Sequence, residues 1–100
     1  MRLIDLQTPE LSEVCRRYAV RELYVFGSIV SGRMHDESDL DFIVRFESVE
    51  PTGAFDRFMG LKEALELLYG RRVDLLTLKP FRNPAFQAEV DQNKMLLYAA

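Results

Sequence analysis

The chain has 100 residues, 48% of them apolar, and a formal net charge of −3 at pH 7. A chain of this length forms one domain at most, so residues 1–100 are predicted to be a single domain with a real core. The acidic balance argues against non-specific nucleic-acid binding, which requires a basic face. No segment approaches the roughly 20 apolar residues of a membrane span, and no signal peptide is evident. With Cys15 as the one cysteine, a reducing, cytoplasmic location is expected.

The first predicted element is a helix that begins after Thr8. Thr8 is a suitable N-cap, Pro9 fits the first helical position, and Glu10 favours the positive end of the helix dipole. A short turn near Arg21 and Glu22 is expected to lead into an apolar strand over 23–26. The apolar stripe of this helix consists of Leu11, Val14, Cys15, Tyr18 and Ala19.

The remaining elements alternate between strands and helices. After a helical turn near 29–32, a strand is predicted over Leu40–Phe46, and a long helix over Ala54–Tyr69 ends at Gly70 in a left-handed conformation. A strand over 72–77, a short helix over about 85–91 and an edge strand over 95–98 follow. This order predicts an α/β (α+β) fold, with a small mixed sheet of three to four strands and helices packed on one face. The buried stripe of the long helix is expected to be Phe55, Phe58, Met59, Leu61, Leu65, Leu68 and Tyr69.

Three predicted strands carry the candidate functional residues. Gly27 and Ser28 close the first strand, and Asp39 and Asp41 open the second after ten intervening residues. Asp74 lies inside the third strand. Because side chains alternate along a strand, all three carboxylates point away from the helix-covered face. If the second and third strands are neighbours, Asp39, Asp41 and Asp74 converge on one face of the sheet.

Converging carboxylates indicate a site for a hard cation, because like charges held together repel and lose solvent. Mg²⁺ prefers oxygen ligands and is commonly held by one or two carboxylates plus substrate phosphates. The backbone at Gly27 can approach phosphates closely, and Ser28 adds a hydroxyl and an N–H. The predicted chemistry is an in-line displacement at phosphorus, with two ions and with Asp74 helping to deprotonate the acceptor hydroxyl. Each feature alone has an ordinary structural explanation; their combination is what indicates the site.

The Gly27-Ser28 turn followed by Asp39-x-Asp41 resembles the signature of the nucleotidyltransferase superfamily that includes DNA polymerase beta. The short length and the run over 70–77 are similar to its minimal nucleotidyltransferase (MNT) subfamily. The resemblance implies the polymerase-beta-like fold, ATP as nucleotide donor, and transfer of AMP to a tyrosine of a partner HEPN ribonuclease toxin. The protein would be the antitoxin of such a pair. It further implies that Gly27 and Ser28 hold the phosphates, and that Asp39, Asp41 and Asp74 are catalytic and ligate Mg²⁺.

Two other functional classes remain open from the sequence. The chain has Ser31 where many members of the subfamily carry arginine, although Arg33 lies nearby. A catalytically weak antitoxin that neutralises the toxin by binding, or a nucleotide sensor, would therefore also fit. The chain has no residues left for the helical domain that shapes a small-molecule acceptor pocket, which favours a protein acceptor. His35 and Lys79 are expected to be surface residues, Cys15 a packed thiol, and Phe81, Phe86 and Tyr98 core or partner-binding residues.

Overall fold

In a computed structural model of the chain, the structure describes residues 3–31, 39–47, 50–77 and 83–100. A 3₁₀ turn over Leu3–Leu6 precedes the main elements. The helices are α1 (Pro9–Arg17), α2 (Ser28–Ser31), α3 (Ala54–Tyr69) and α4 (Pro84–Asn93). The strands are β1 (Val20–Phe26), β2 (Leu40–Phe46), β3 (Val73–Thr77) and β4 (Met95–Ala99). No helix within these ranges is long and apolar enough to cross a membrane.

The four strands form one mixed sheet in the order β3-β2-β1-β4. β1 runs antiparallel to both β2 and β4, whereas β2 and β3 are parallel. Parallel neighbours need a long crossover connection, and α3 supplies it between β2 and β3. The observed architecture therefore confirms the predicted α+β fold, including the edge strand at the end of the chain.

The main core lies between one face of the sheet and the helices α1 and α3. Leu11 and Cys15 of α1 and Leu61 and Leu65 of α3 are buried there against alternating residues of the strands. The predicted caps are also present. The Thr8 hydroxyl accepts from the Leu11 N–H at 3.3 Å, and Gly70 ends α3 with a φ of 65°.

The opposite face of the sheet is partly covered by α4. The strand register places Tyr24, Ile43 and Leu76 on this face. Ile43 and Val90 of α4 are both buried, yet neither belongs to the main core cluster. The ammonium of Lys94, directly after α4, lies 4.9 Å from the centre of the Tyr24 ring. The predicted one-sided packing thus holds for α1 and α3, while α4 lies over the other face.

Two local predictions were wrong. Arg21 and Glu22 belong to β1 and do not form a turn; the chain reverses one step earlier, where Ala19 adopts a φ of 56°. Pairing with both neighbouring strands extends β1, as the Ala100 N–H donates to the Arg21 carbonyl at 2.8 Å. Phe55 is 74% exposed and is not part of the buried stripe. It lies in the first turn of α3, and the core contacts of that helix begin at Phe58.

Candidate active site

Asp41 and Asp74 lie directly opposite each other on the parallel strands β2 and β3. Their flanking residues Leu40, Phe42 and Val73 are buried in the core. Because side chains alternate, this burial turns both carboxylates to the opposite face of the sheet. The predicted alternation is therefore present, and the crossover through α3 is what makes the two strands neighbours.

The electrostatics of Asp41 show how closely the carboxylates approach each other. The pKa of Asp41 is raised from 3.8 to about 6, mainly by burial and next by the negative charge of Asp74. A hydrogen bond with Asp74 and the charge of Asp39 act in the same direction. When both carboxylates are ionised, at a pH above about 6, they repel each other, and a cation bound between them would relieve that repulsion.

Gly27 brings the turn after β1 against the Asp41 carboxylate. Its φ is 84°, in the left-handed region that glycine adopts readily. A Cβ atom at this position would lie 2.5 Å from Asp41 Oδ2, so the carboxylate would have to shift. Ser28 follows as the first residue of α2, and Ser31 ends that helix. The turn and the carboxylate thus occupy one place in the fold, as the sequence motif predicts.

Asp39 is exposed and lies one residue before β2. Within the described part of the chain, no three Asp, Glu, His or Cys side chains form a group that could hold a metal. The structure therefore brings together two of the three predicted carboxylates. Those two fit Mg²⁺, since that ion is usually held by one or two carboxylates and completes its shell with water and phosphate oxygens. The role of Asp39 stays a prediction.

A cavity of about 490 Å³ contains both carboxylates. Most of its wall is apolar, and Lys62 of α3 lines it as well. No sequence pattern indicated Lys62, because only the tertiary packing turns this side of α3 toward the edge of β3. The lining residues are Phe26, Asp41, Phe58, Met59, Lys62, Asp74, Leu75, Leu76 and Phe86.

Several residues considered in the sequence play no part in this geometry. Cys15 is a buried free thiol whose pKa burial raises to about 12, which agrees with a packed and unreactive residue. Arg33, His35, Lys79 and Phe81 lie outside the described residues.

The raised pKa of Asp41 predicts an unusual pH dependence of stability. Between about pH 4 and 6 the folded state holds a proton that the unfolded state has released. The free energy of unfolding of the metal-free protein should therefore fall as the pH rises through this window. The lowered pKa of Glu22 acts in the opposite sense, but below 4.5.

Urea denaturation in chelator between pH 4 and 8 measures this slope. Asp41→Asn should remove it, while Asp56→Asn, at an exposed position in the first turn of α3, should leave it unchanged. A wild-type profile that rises through the same window would contradict the interpretation.

Three comparisons with known proteins indicate the same family. The model of the nucleotidyltransferase domain family matches residues 10–98. Protein adenylyltransferase MntA of Thermococcus cleftensis is 42% identical over 72 residues, which are 72% of this chain and 70% of that relative. A solved structure provisionally described as a minimal nucleotidyltransferase has a TM-score of 0.70 at 30% identity, and the match covers 95% of each chain.

A more distant likeness concerns a complex. A chain in the structure of the tri-AMPylated Shewanella oneidensis HEPN toxin with an MNT antitoxin has a TM-score of 0.61 at 17% identity. The match covers 96% of this chain and 72% of that one, and it shows a common fold. The family model spans nearly the whole chain, and the fold and the paired carboxylates agree with it. The protein therefore belongs to the nucleotidyltransferase domain family and is a minimal nucleotidyltransferase.

Proposed function

We propose that this nucleotidyltransferase transfers AMP from ATP to a tyrosine hydroxyl of a HEPN toxin and thereby acts as its antitoxin in the cytoplasm, where ATP is available. The observation that carries the proposal is the pair Asp41–Asp74 set against the Gly27 turn in one cavity. The adenylyltransferase relative from Thermococcus cleftensis and the fold shared with the Shewanella oneidensis complex support the choice of AMP and of a HEPN partner.

The reaction is a displacement at the α-phosphorus of ATP. The acceptor oxygen forms a bond to that phosphorus, the bond to the bridging oxygen of the β-phosphate breaks, and pyrophosphate leaves. Asp74 is the group that takes the hydroxyl proton, since it is exposed and lies beside Asp41. The product is a phosphodiester between AMP and the acceptor, so atoms and charge balance without a further reactant.

The same residues would hold the cation and the phosphates. Asp41 and Asp74, with Asp39 one residue before β2, would hold Mg²⁺ as a pair of ions. Mg²⁺ supplies positive charge that offsets the carboxylates and the charge developing on the phosphates. Gly27 leaves room beside Asp41, so the backbone N–H groups of the following turn can face the phosphates of ATP.

The position of the label in ATP gives a sharp test of the proposed reaction. The protein is mixed with the HEPN protein encoded beside it, Mg²⁺, and ATP labelled in either the α- or the γ-phosphate. Label from the α-phosphate should appear on the toxin, and label from the γ-phosphate should not. Mass spectrometry of the toxin then identifies the modified residue. Absence of α-label on a toxin with proven ribonuclease activity would refute the proposal.

A second candidate is neutralisation of the toxin by contact alone. Exposed apolar side chains next to the carboxylates favour it, because Leu76 and Phe86 are 37% and 36% exposed at the cavity. The variants Asp39→Ala and Asp41→Ala separate the two candidates. A contact antitoxin carrying both changes would still protect cells from the toxin, whereas an adenylyltransferase would not.

The position of Phe86 leads to a prediction about the acceptor. Phe86 lines the cavity that contains Asp74 and is 36% exposed, so we expect a protein acceptor bound there to contact it. Phe86→Ala should therefore lower transfer to the toxin about tenfold, equivalent to ~1.4 kcal/mol. Stabilisation of the protein by ATP and Mg²⁺ in a melting experiment should stay unchanged. Leu67→Ala is the matched control, since Leu67 is 86% exposed and does not line the cavity. Equal effects of the two variants would contradict a docking role.

A further inference from the structure

The amide of Val73, one residue before Asp74, points toward the open edge of the sheet. Among the described strands, β3 is the outermost one and pairs with β2 alone. The Leu40 N–H donates to the Arg72 carbonyl at 3.0 Å, and Leu40 pairs with Val73 in the parallel register. In such a ladder, residues 72, 74 and 76 bond to β2, so the backbone groups of Val73 face away from it. An edge amide of this kind needs an acceptor from outside the sheet.

Glu66 of α3 provides that acceptor. Its Oε2 accepts a hydrogen bond from the Val73 N–H at 3.1 Å, in a partly buried position. The start of β3 is therefore held on both sides, by β2 through Arg72 and by α3 through Glu66. Asp74 is the next residue along the strand, so both attachments fix the backbone that carries it.

The location of Glu66 in its helix is locally unfavourable. It lies in the last turn of α3, which contains no basic residue, and a carboxylate there opposes the negative end of the helix dipole. The Lys62 ammonium lies 3.9 Å from the same oxygen, but this pair is about one-third exposed and correspondingly weak. The hydrogen bond from the Val73 amide offsets this local cost, because that amide faces away from β2.

We propose that Glu66 is a positioning residue for Asp74, acting through the Val73 amide. The inference rests on the proposed AMP transfer for its kinetic consequence. Without Glu66, the first residues of β3 lose their outer support, and Asp74 no longer keeps its place opposite Asp41. The role depends on a carbonyl-type oxygen at this position rather than on its charge.

Four variants test the assignment. Glu66→Ala removes the acceptor, Glu66→Gln keeps an oxygen but loses the charge, and Lys62→Met removes the ion pair alone. Glu63→Ala is the matched control, an exposed glutamate in the same helix. We expect Glu66→Ala to lower kcat at least tenfold with less than a threefold change in KM for ATP. Glu66→Gln and Glu63→Ala should stay within threefold of the wild type. Lys62 lines the cavity, so Lys62→Met is compared only by the exchange of the Val73 amide, which should stay near the wild-type value.

Hydrogen exchange of the Val73 amide gives a second readout that does not require activity. Its protection should fall at least tenfold in Glu66→Ala and stay near the wild-type value in Glu66→Gln and Glu63→Ala. Unchanged protection in Glu66→Ala, or an equal loss of kcat in Glu66→Ala and Glu66→Gln, would overturn the inference. A wild-type protein without AMP transfer would refute the proposed function, while the exchange data would still decide whether Glu66 holds β3.

Discussion

Replacement of Asp41 or Asp74 by asparagine should lower the rate of AMP transfer by about a thousandfold. General base catalysis contributes roughly 10²–10⁴-fold, and the same groups would also hold the cation. Asparagine keeps the size of the side chain and its place on the strand but cannot accept a proton or supply negative charge. The measurement is transfer of α-labelled phosphate to the toxin under saturating ATP.

The melting temperatures of these variants show whether activity is lost because a catalytic group is missing or because the protein is unfolded. Asp41 carries a pKa raised to about 6 by burial and by the neighbouring carboxylates, so its ionised form is disfavoured in the fold. At pH 7.5, without metal, Asp41→Asn should therefore melt a few degrees above the wild type. Asp56→Asn should leave activity unchanged and should melt no higher than the wild type, since it removes a negative charge that favours the N-terminal end of α3. An Asp41→Asn protein that retains transfer, or that melts below the wild type, would contradict the assignment.

The variant Gly27→Ala should damage both the fold and the site. Alanine pays about 1–2 kcal/mol for the left-handed backbone at a φ of 84°. Its Cβ would also lie 2.5 Å from Asp41 Oδ2, and such overpacking costs roughly 1–3 kcal/mol more. Because Asp41 must move to relieve the contact, transfer activity should fall together with stability.

Gly70→Ala is a control for the part of the Gly27→Ala effect that comes from the left-handed backbone. Its φ is 65°, and a Cβ there would meet nothing within 4 Å. Gly70→Ala should therefore cost about 1 kcal/mol, which corresponds to a shift of roughly 4–8 °C in the melting temperature of a domain this size. Its activity at low temperature should match the wild type. If Gly70→Ala and Gly27→Ala behave alike in melting and transfer, close contact with Asp41 is not what restricts position 27.

Much of the fold could be predicted because local signals agree with tertiary packing. Thr8 and Pro9 mark the start of α1, and Gly70 marks the end of α3. β2 has the predicted bounds, and Asp74 lies between two buried residues as the alternation requires. The carboxylate pair was predictable for the same reason, since alternation and one assumption about neighbouring strands place Asp41 and Asp74 together.

The features that the sequence did not predict have a common physical origin: they depend on contacts between residues that are far apart along the chain. Arg21 and Glu22 look like turn residues, but pairing on both sides extends β1 through them. Lys62 and Glu66 look like an ordinary ion pair on the surface of a helix. Only the position of α3 beside the edge of β3 brings one to the cavity and the other to the Val73 amide. No pattern within α3 itself contains that information.

The raised pKa of Asp41 links the candidate site to the lifetime of the protein. Above pH 6 the ionised carboxylates repel each other when no cation is bound, and any bound species that neutralises them stabilises the folded state by an amount that grows with the logarithm of its concentration above Kd. Proteases degrade the unfolded form, so a molecule supplied with its cation and nucleotide should persist longer than one without them. The abundance of the protein would then follow the supply of its own substrates.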